Sequence, residues 1–64
     1  MRGSGIGRAL LDALVTAARE RGDQAVVLHA QVAAVGFYAR AGFVAHGAVF
    51  EEAGIAHLAM QRTL

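Results

Sequence analysis

The chain has no cysteine, no proline, no tryptophan and no lysine. Without cysteine, no disulfide framework can support a small fold. A zinc site would have to rest on His29, His46, His57 and carboxylates. Those histidines lack the close i, i+3 or i, i+4 spacing of common zinc ligands, so no metal is expected. Without lysine, the Walker phosphate loop is excluded. The six basic residues are all arginine and lie scattered among five acidic ones, for a formal net charge of +1. That leaves no basic block for nucleic acid. No apolar run approaches the ~20 residues of a membrane-spanning helix. Arg8 and Asp12 interrupt the leading apolar stretch, so a secretory signal is not expected either, and the expected compartment is the cytosol.

What remains is a 64-residue chain that is 56% hydrophobic and 17% charged, a balance that favours folding over disorder. At this length the chain makes at most one domain. It buries only about 60% of the surface its unfolded form exposes, which makes its stability marginal.

Residues 7–21, GRALLDALVTAARER, carry an amphipathic helical period. Leu10, Leu11, Leu14, Val15, Ala17 and Ala18 form an apolar stripe that Arg8, Asp12, Arg19 and Glu20 largely avoid. Gly22 supplies a stop. Residues 24–31, QAVVLHAQ, form a short continuous apolar run, the kind buried on both faces of a parallel sheet. Residues 32–42 again have helical spacing and end at Gly42. Residues 43–50 and 55–63 are candidate strands, with EEAG between them as a hairpin loop. The order is loop, helix, strand, helix, strand, strand: an α/β chain with a mixed sheet. The strand that would precede the first helix in a βαβ unit is absent, and one edge of the buried-type strand is left bare.

The opening MRGSGIGRALL sets Gly3, Gly5 and Gly7 directly before that helix. The first backbone N–H groups of a helix have no intrahelical partners, and the helix dipole favours an anion there by roughly 0.3–1 kcal/mol. Glycines let the backbone approach a pyrophosphate closely. Ser4 adds a hydroxyl donor, and Arg2 and Arg8 add positive charge. The dinucleotide fingerprint GxGxxG fails, because its third glycine would fall at Arg8 or Leu10.

The pattern that fits is Arg-x-x-Gly-x-Gly, met by Arg2, Gly5 and Gly7. It resembles the acetyl-CoA pyrophosphate loop of the GNAT superfamily of N-acetyltransferases. The segment QVAAVGFYARAGF resembles a second signature of that family, Asn-x-x-Ala-x-x-Phe-Tyr followed by Gly-Phe. Gln31, Ala34, Phe37, Tyr38, Gly42 and Phe43 occupy its positions, with glutamine standing for asparagine. FEEAGIAHLAM resembles the closing hairpin of a bacterial branch of small GNAT proteins.

The resemblance implies that acetyl-CoA is the cosubstrate and an amine the acceptor. Arg2, Gly3, Ser4, Gly5, Ile6, Gly7 and Arg8 would bind the diphosphate and Gln31 the pantetheine arm. Tyr38 would be the general acid that protonates the leaving CoA thiolate, a role a phenol can fill. Phe37 is expected in the core, His29 as a hydrogen-bonded core histidine and His46 at the surface. Glu52 and His57 sit where an acceptor pocket is lined in the family, but read on their own they are a turn carboxylate and a sheet residue. In the family, a carboxylate often used to deprotonate the amine lies before the glycine loop. Residues 1–64 therefore read as a truncated domain, the C-terminal half of a GNAT fold, expected to bind CoA weakly and to turn over little or not at all. The alternative is an inert or interaction module that self-associates or pairs through the bare strand edge.

Overall fold

A computed structural model describes residues 4–64, with the backbone alone for residues 4–6. Helix α1 spans Ser4–Glu20 and strand β1 Ala25–Gln31. A short 3₁₀ turn, Val32–Ala34, leads into helix α2, Val35–Arg40. Strands β2, Val44–Glu52, and β3, Ile55–Thr63, complete the chain. The elements come in the expected order, a mixed α and β chain.

Both helices end in the same way, and the glycines explain it. Gly22 has φ +85°. Its N–H donates to Arg19 O at 3.0 Å, and the Asp23 N–H donates to Ala18 O at 3.0 Å. This is a Schellman motif, in which a residue in the left-handed region turns two chain N–H groups back onto the last carbonyls. Helix α2 repeats it at Gly42, with φ +93°. There the Gly42 N–H donates to Ala39 O at 3.0 Å and the Phe43 N–H to Tyr38 O at 3.1 Å. Arg62 Nη1 donates to Ala41 O at 2.9 Å, satisfying a further carbonyl at that end.

The sheet has the order β1-β3-β2, and every pairing among the described residues is antiparallel. The parallel, doubly buried setting expected for β1 is therefore corrected: β3 lies beside it, running antiparallel. Alternation along β1 sends Val26, Leu28 and Ala30 to one face and Val27, His29 and Gln31 to the other. The first set packs with Leu11 and Val15 of α1, Phe43 and Met60 in the core. The second set is exposed. His29 is accordingly no core histidine, since its side chain is 54% exposed. Among the described residues its strand is covered on one face only, by the two helices.

The stripe of α1 that is buried, Leu11, Val15 and Ala18, is spaced for a single helix face, while Leu10 and Leu14 stay exposed. The β2–β3 hairpin is tighter than the expected EEAG loop. Glu52 pairs with Ile55, and only Ala53 and Gly54 make the turn, with φ +53° and +78°. Positive φ at both central residues is what a type I′ turn requires. Between His46 and Phe50 the register slips: β2 advances from His46, opposite Ala59, to Phe50, opposite His57. The extra residues include Gly47 at φ +83°. The bulge sets Phe50, in place of Ala48, opposite His57, with Glu52 on the same face.

Candidate functional site

The first turn of α1 contains the glycine motif instead of following it. The helix starts at Ser4, not at Gly7 as the sequence suggests; glycine is permitted in a helical turn as well as in a loop, so Gly5 and Gly7 do not mark the boundary. Arg2 and Gly3 lie outside the described residues. The backbone of Ser4, Gly5, Ile6 and Gly7 forms the opening turn, whose N–H groups have no acceptor within the helix. No acidic residue stands in that turn to compete with an anion. Arg8, the next residue, holds an exposed ion pair with Asp12, Nε to Oδ1 3.0 Å. Exposed i, i+4 pairs of this kind are worth only about 0.3–0.5 kcal/mol, so the guanidinium is readily given to a stronger anion.

The two motif segments, far apart in sequence, meet in space. A Cβ placed on Gly7 would lie 3.9 Å from Cζ of Phe37. The opening turn of α1 thus reaches Phe37 of α2. Phe37 and Tyr38 meet edge to face, ring centroids 5.1 Å apart at 81°. Tyr38 also meets Phe43 edge to face, at 5.9 Å and 74°. That second contact joins the residue after the glycine to one in the last turn of the helix, the apolar contact that accompanies a Schellman motif. The spacing of Tyr38, Gly42 and Phe43 therefore has a physical reason: the glycine turns the chain so that Phe43 locks the tyrosine ring. Tyr38 is partly buried against the core, and Phe37 packs there too, as expected.

Gln31 closes β1 with φ −59° and ψ 140°, and its side chain makes no capping hydrogen bond. It is exposed and stands opposite His57 in the β1–β3 register.

Beside it lies a group that sequence reasoning left unassembled. Oε1 of Glu52 is 3.6 Å from Nδ1 of His29 and 3.7 Å from Nε2 of His57. Nδ1 of His57 is 2.8 Å from the carbonyl oxygen of Ile55. The Phe50 ring stacks on His57, with centroids 5.9 Å apart at 26°, and meets His29 edge to face at 5.0 Å and 76°. His46 is exposed on the same side of β2 and takes no part in these contacts. A shallow depression lined by Gly42, Val44, His46, Gln61 and Thr63 holds none of the expected site residues. Among the described residues, no group of histidines and carboxylates is arranged to hold a metal ion, and no helix is long and apolar enough to cross a membrane.

Against known proteins, the family model for the acetyltransferase (GNAT) domain matches residues 1–64. The chain belongs to the GNAT family. Two solved structures resemble this GNAT chain closely. An acyl-CoA N-acyltransferase from Pseudomonas aeruginosa is 40% identical, with a TM-score of 0.84 over 95% of this chain and 42% of that one. ElaA from Escherichia coli is 35% identical, with a TM-score of 0.78 over 97% of this chain and 43% of that one. The chain spans less than half the length of either. GNAT proteins use acyl-CoA and transfer its acyl group. In this chain the first N–H groups of α1 lack acceptors within the helix, and Phe37 lies beside Gly7 in that turn.

Proposed function

We propose that this chain is the acyl-CoA-binding portion of a GNAT N-acetyltransferase that moves an acetyl group to an amine. The observation that carries the reading is the contact between the opening turn of α1 and α2, Gly7 against Phe37. Phe37 is the ring neighbour of Tyr38, and this supports reading the first turn of α1 and the tyrosine as parts of one site. The Gly3, Ser4, Gly5, Ile6 and Gly7 backbone receives the diphosphate, with Arg2 and Arg8 supplying positive charge. Gln31, with no capping bond to occupy its amide, pairs with the pantetheine arm. The thioester supplies an activated acyl carbon. Tyr38 holds the proton that the departing sulfur takes, and the Phe43 contact keeps its ring from rotating away.

Calorimetry with CoA tests this. Gly5→Val puts a branched side chain on the opening turn, where a diphosphate must come close to the backbone. Binding to the unsubstituted chain and its loss in Gly5→Val is the expected pair of results. Equal binding by the two would mean that the helix tip is not the phosphate site.

A further inference from the structure

Alternation along β3 sends Leu58, Met60 and Arg62 to the face that the helices cover, opposite Ala30, Leu28 and Val26 of β1. Two of the three are apolar, as a core face requires. The third is a half-buried arginine, and among the described residues no carboxylate pairs with it. Taking a charge partly out of water costs stability unless hydrogen bonds compensate, so its contacts show why it stands there. Nη1 donates to Ala41 O at 2.9 Å, the carbonyl of the residue that caps α2. On the way the side chain runs along Gly42: Cδ, Nε and Cζ would lie 3.4, 3.5 and 3.7 Å from a Cβ placed on that glycine. The guanidinium thus meets the negative end of the helix dipole and a carbonyl at the helix end.

That end is the one that carries Tyr38. Helix α2 is six residues long and contains Gly36. A helix shorter than about 12 residues is marginal on its own in water, so the orientation of α2 is set by what grips it. At its carboxyl end the Ala41 and Phe43 N–H groups both donate to Tyr38 O, at 2.9 and 3.1 Å. The turn that holds the Tyr38 backbone is therefore the turn that Arg62 fastens to β3. The Phe43 ring restrains the tyrosine ring, and Arg62 restrains the segment on which both rings are mounted.

We infer that Arg62 is a positioning residue for Tyr38: by tying the Ala41 carbonyl to β3 it fixes the tilt of α2, and with it the place of the phenol hydroxyl. Its part in catalysis rests on the acyl-transfer reading; the clamp itself does not. A displacement of about 1 Å in a reacting group costs on the order of a hundredfold in rate, which is the scale on which such a clamp matters.

Tyr38 is its own probe, since it is the only tyrosine and there is no tryptophan. Near-ultraviolet circular dichroism and the ring ¹³C–¹H signals of Tyr38 are recorded for the unsubstituted full chain, Arg62→Met, Arg62→Lys and Val15→Ala. Methionine keeps an apolar stem along Gly42 and removes the donor, whereas lysine keeps a cationic donor. Val15→Ala, a truncation at a buried position of α1, stands for a chain destabilised elsewhere. At a temperature where all are folded, Arg62→Met should lose about half of the tyrosine dichroism, because loss of one charge-assisted hydrogen bond frees the turn. Its ring signals should move toward those of free tyrosine. Arg62→Lys should recover most of both signals, and Val15→Ala should keep both. Ring signals unchanged in Arg62→Met, an equal loss in Arg62→Lys, or an equal loss in Val15→Ala would each overturn the assignment. If Arg62→Met does not fold, the unsubstituted chain decides. There the Arg62 Nη protons should give resolved, slowly rotating signals, and averaging like that of the exposed Arg19 would overturn the clamp. Adding CoA separates the clamp from the reading beneath it. The Gly5 and Gly7 amides should respond to CoA alike in the unsubstituted chain and in Arg62→Met, while the response of the Tyr38 ring shrinks in the variant. If CoA moves nothing in the unsubstituted chain, the acyl-transfer reading falls, and the signals recorded without CoA still decide the clamp.

Discussion

Gly36 and Gly42 stand six positions apart around the same short helix and should respond to alanine in opposite directions. Gly42 sits at φ +93°, where an L side chain is strained by about 1–2 kcal/mol. A Cβ there would approach Arg62 Cδ at 3.4 Å, a contact with a flexible side chain that gives way, so the backbone strain dominates. Gly36 lies within α2 and is not among the positive-φ glycines, and a Cβ there would meet only the end of Arg40, Nη1 at 3.4 Å. Alanine at that position should stabilise by about 0.5–1 kcal/mol by restricting the unfolded chain. For 64 residues the whole stability is about 3–10 kcal/mol, so either change is a sizeable fraction. With a urea slope of about 1 kcal/mol per M for so small a chain, Gly42→Ala should lower the unfolding midpoint by about 1–2 M, and Gly36→Ala should raise it. The assay is unusually clean, because Tyr38 is the only tyrosine and there is no tryptophan, so intrinsic fluorescence reports the α2 seat itself. Equal midpoints for Gly42→Ala and the unsubstituted chain, or a lower one for Gly36→Ala, would refute the Schellman account of how Tyr38 is held.

Three further outcomes follow from the packing. Ala53→Asn should stabilise by up to about 1 kcal/mol in the same urea assay, since Ala53 stands at φ +53° in a turn that prefers Asn-Gly. Met60 is 1% exposed at the centre of the sheet, so Met60→Ala should cost about 2–5 kcal/mol and leave much of the chain unfolded by circular dichroism. The open edge of β1 and the exposed Leu10, Leu14 and Val27 should produce concentration-dependent association in sedimentation runs, which a monodisperse monomer at all concentrations would contradict.

The elements were legible where periodicity and glycine placement agree. The stripe of α1, the stops at Gly22 and Gly42 and the two hairpin strands all follow from side-chain spacing and backbone freedom. The N-terminus of α1 was not, since Gly5 and Gly7 look the same in a loop and in a first helical turn. Nor was the setting of β1: a short apolar run does not reveal whether one face or both are covered, and here Val27 is 59% exposed while Ala30 is buried. The 3₁₀ turn at Val32–Ala34 breaks what reads as a single helix. Of the candidate site, the GNAT motifs were visible as patterns, but the reason for the Phe43 spacing emerges only from the turn geometry. Glu52 and His57 were named through the resemblance, but their approach to His29 and Phe50 was not visible because it depends on register. Three strands must pair, and the bulge at Gly47 must shift β2, before Phe50 reaches His57.

The most direct test of the central claim is to record the backbone amide resonances of the chain while CoA is added. The account predicts that the amides of Gly5 and Gly7 move most, together with the ring signals of Tyr38. Gly5 and Gly7 remaining still while another part of the surface responds would contradict it.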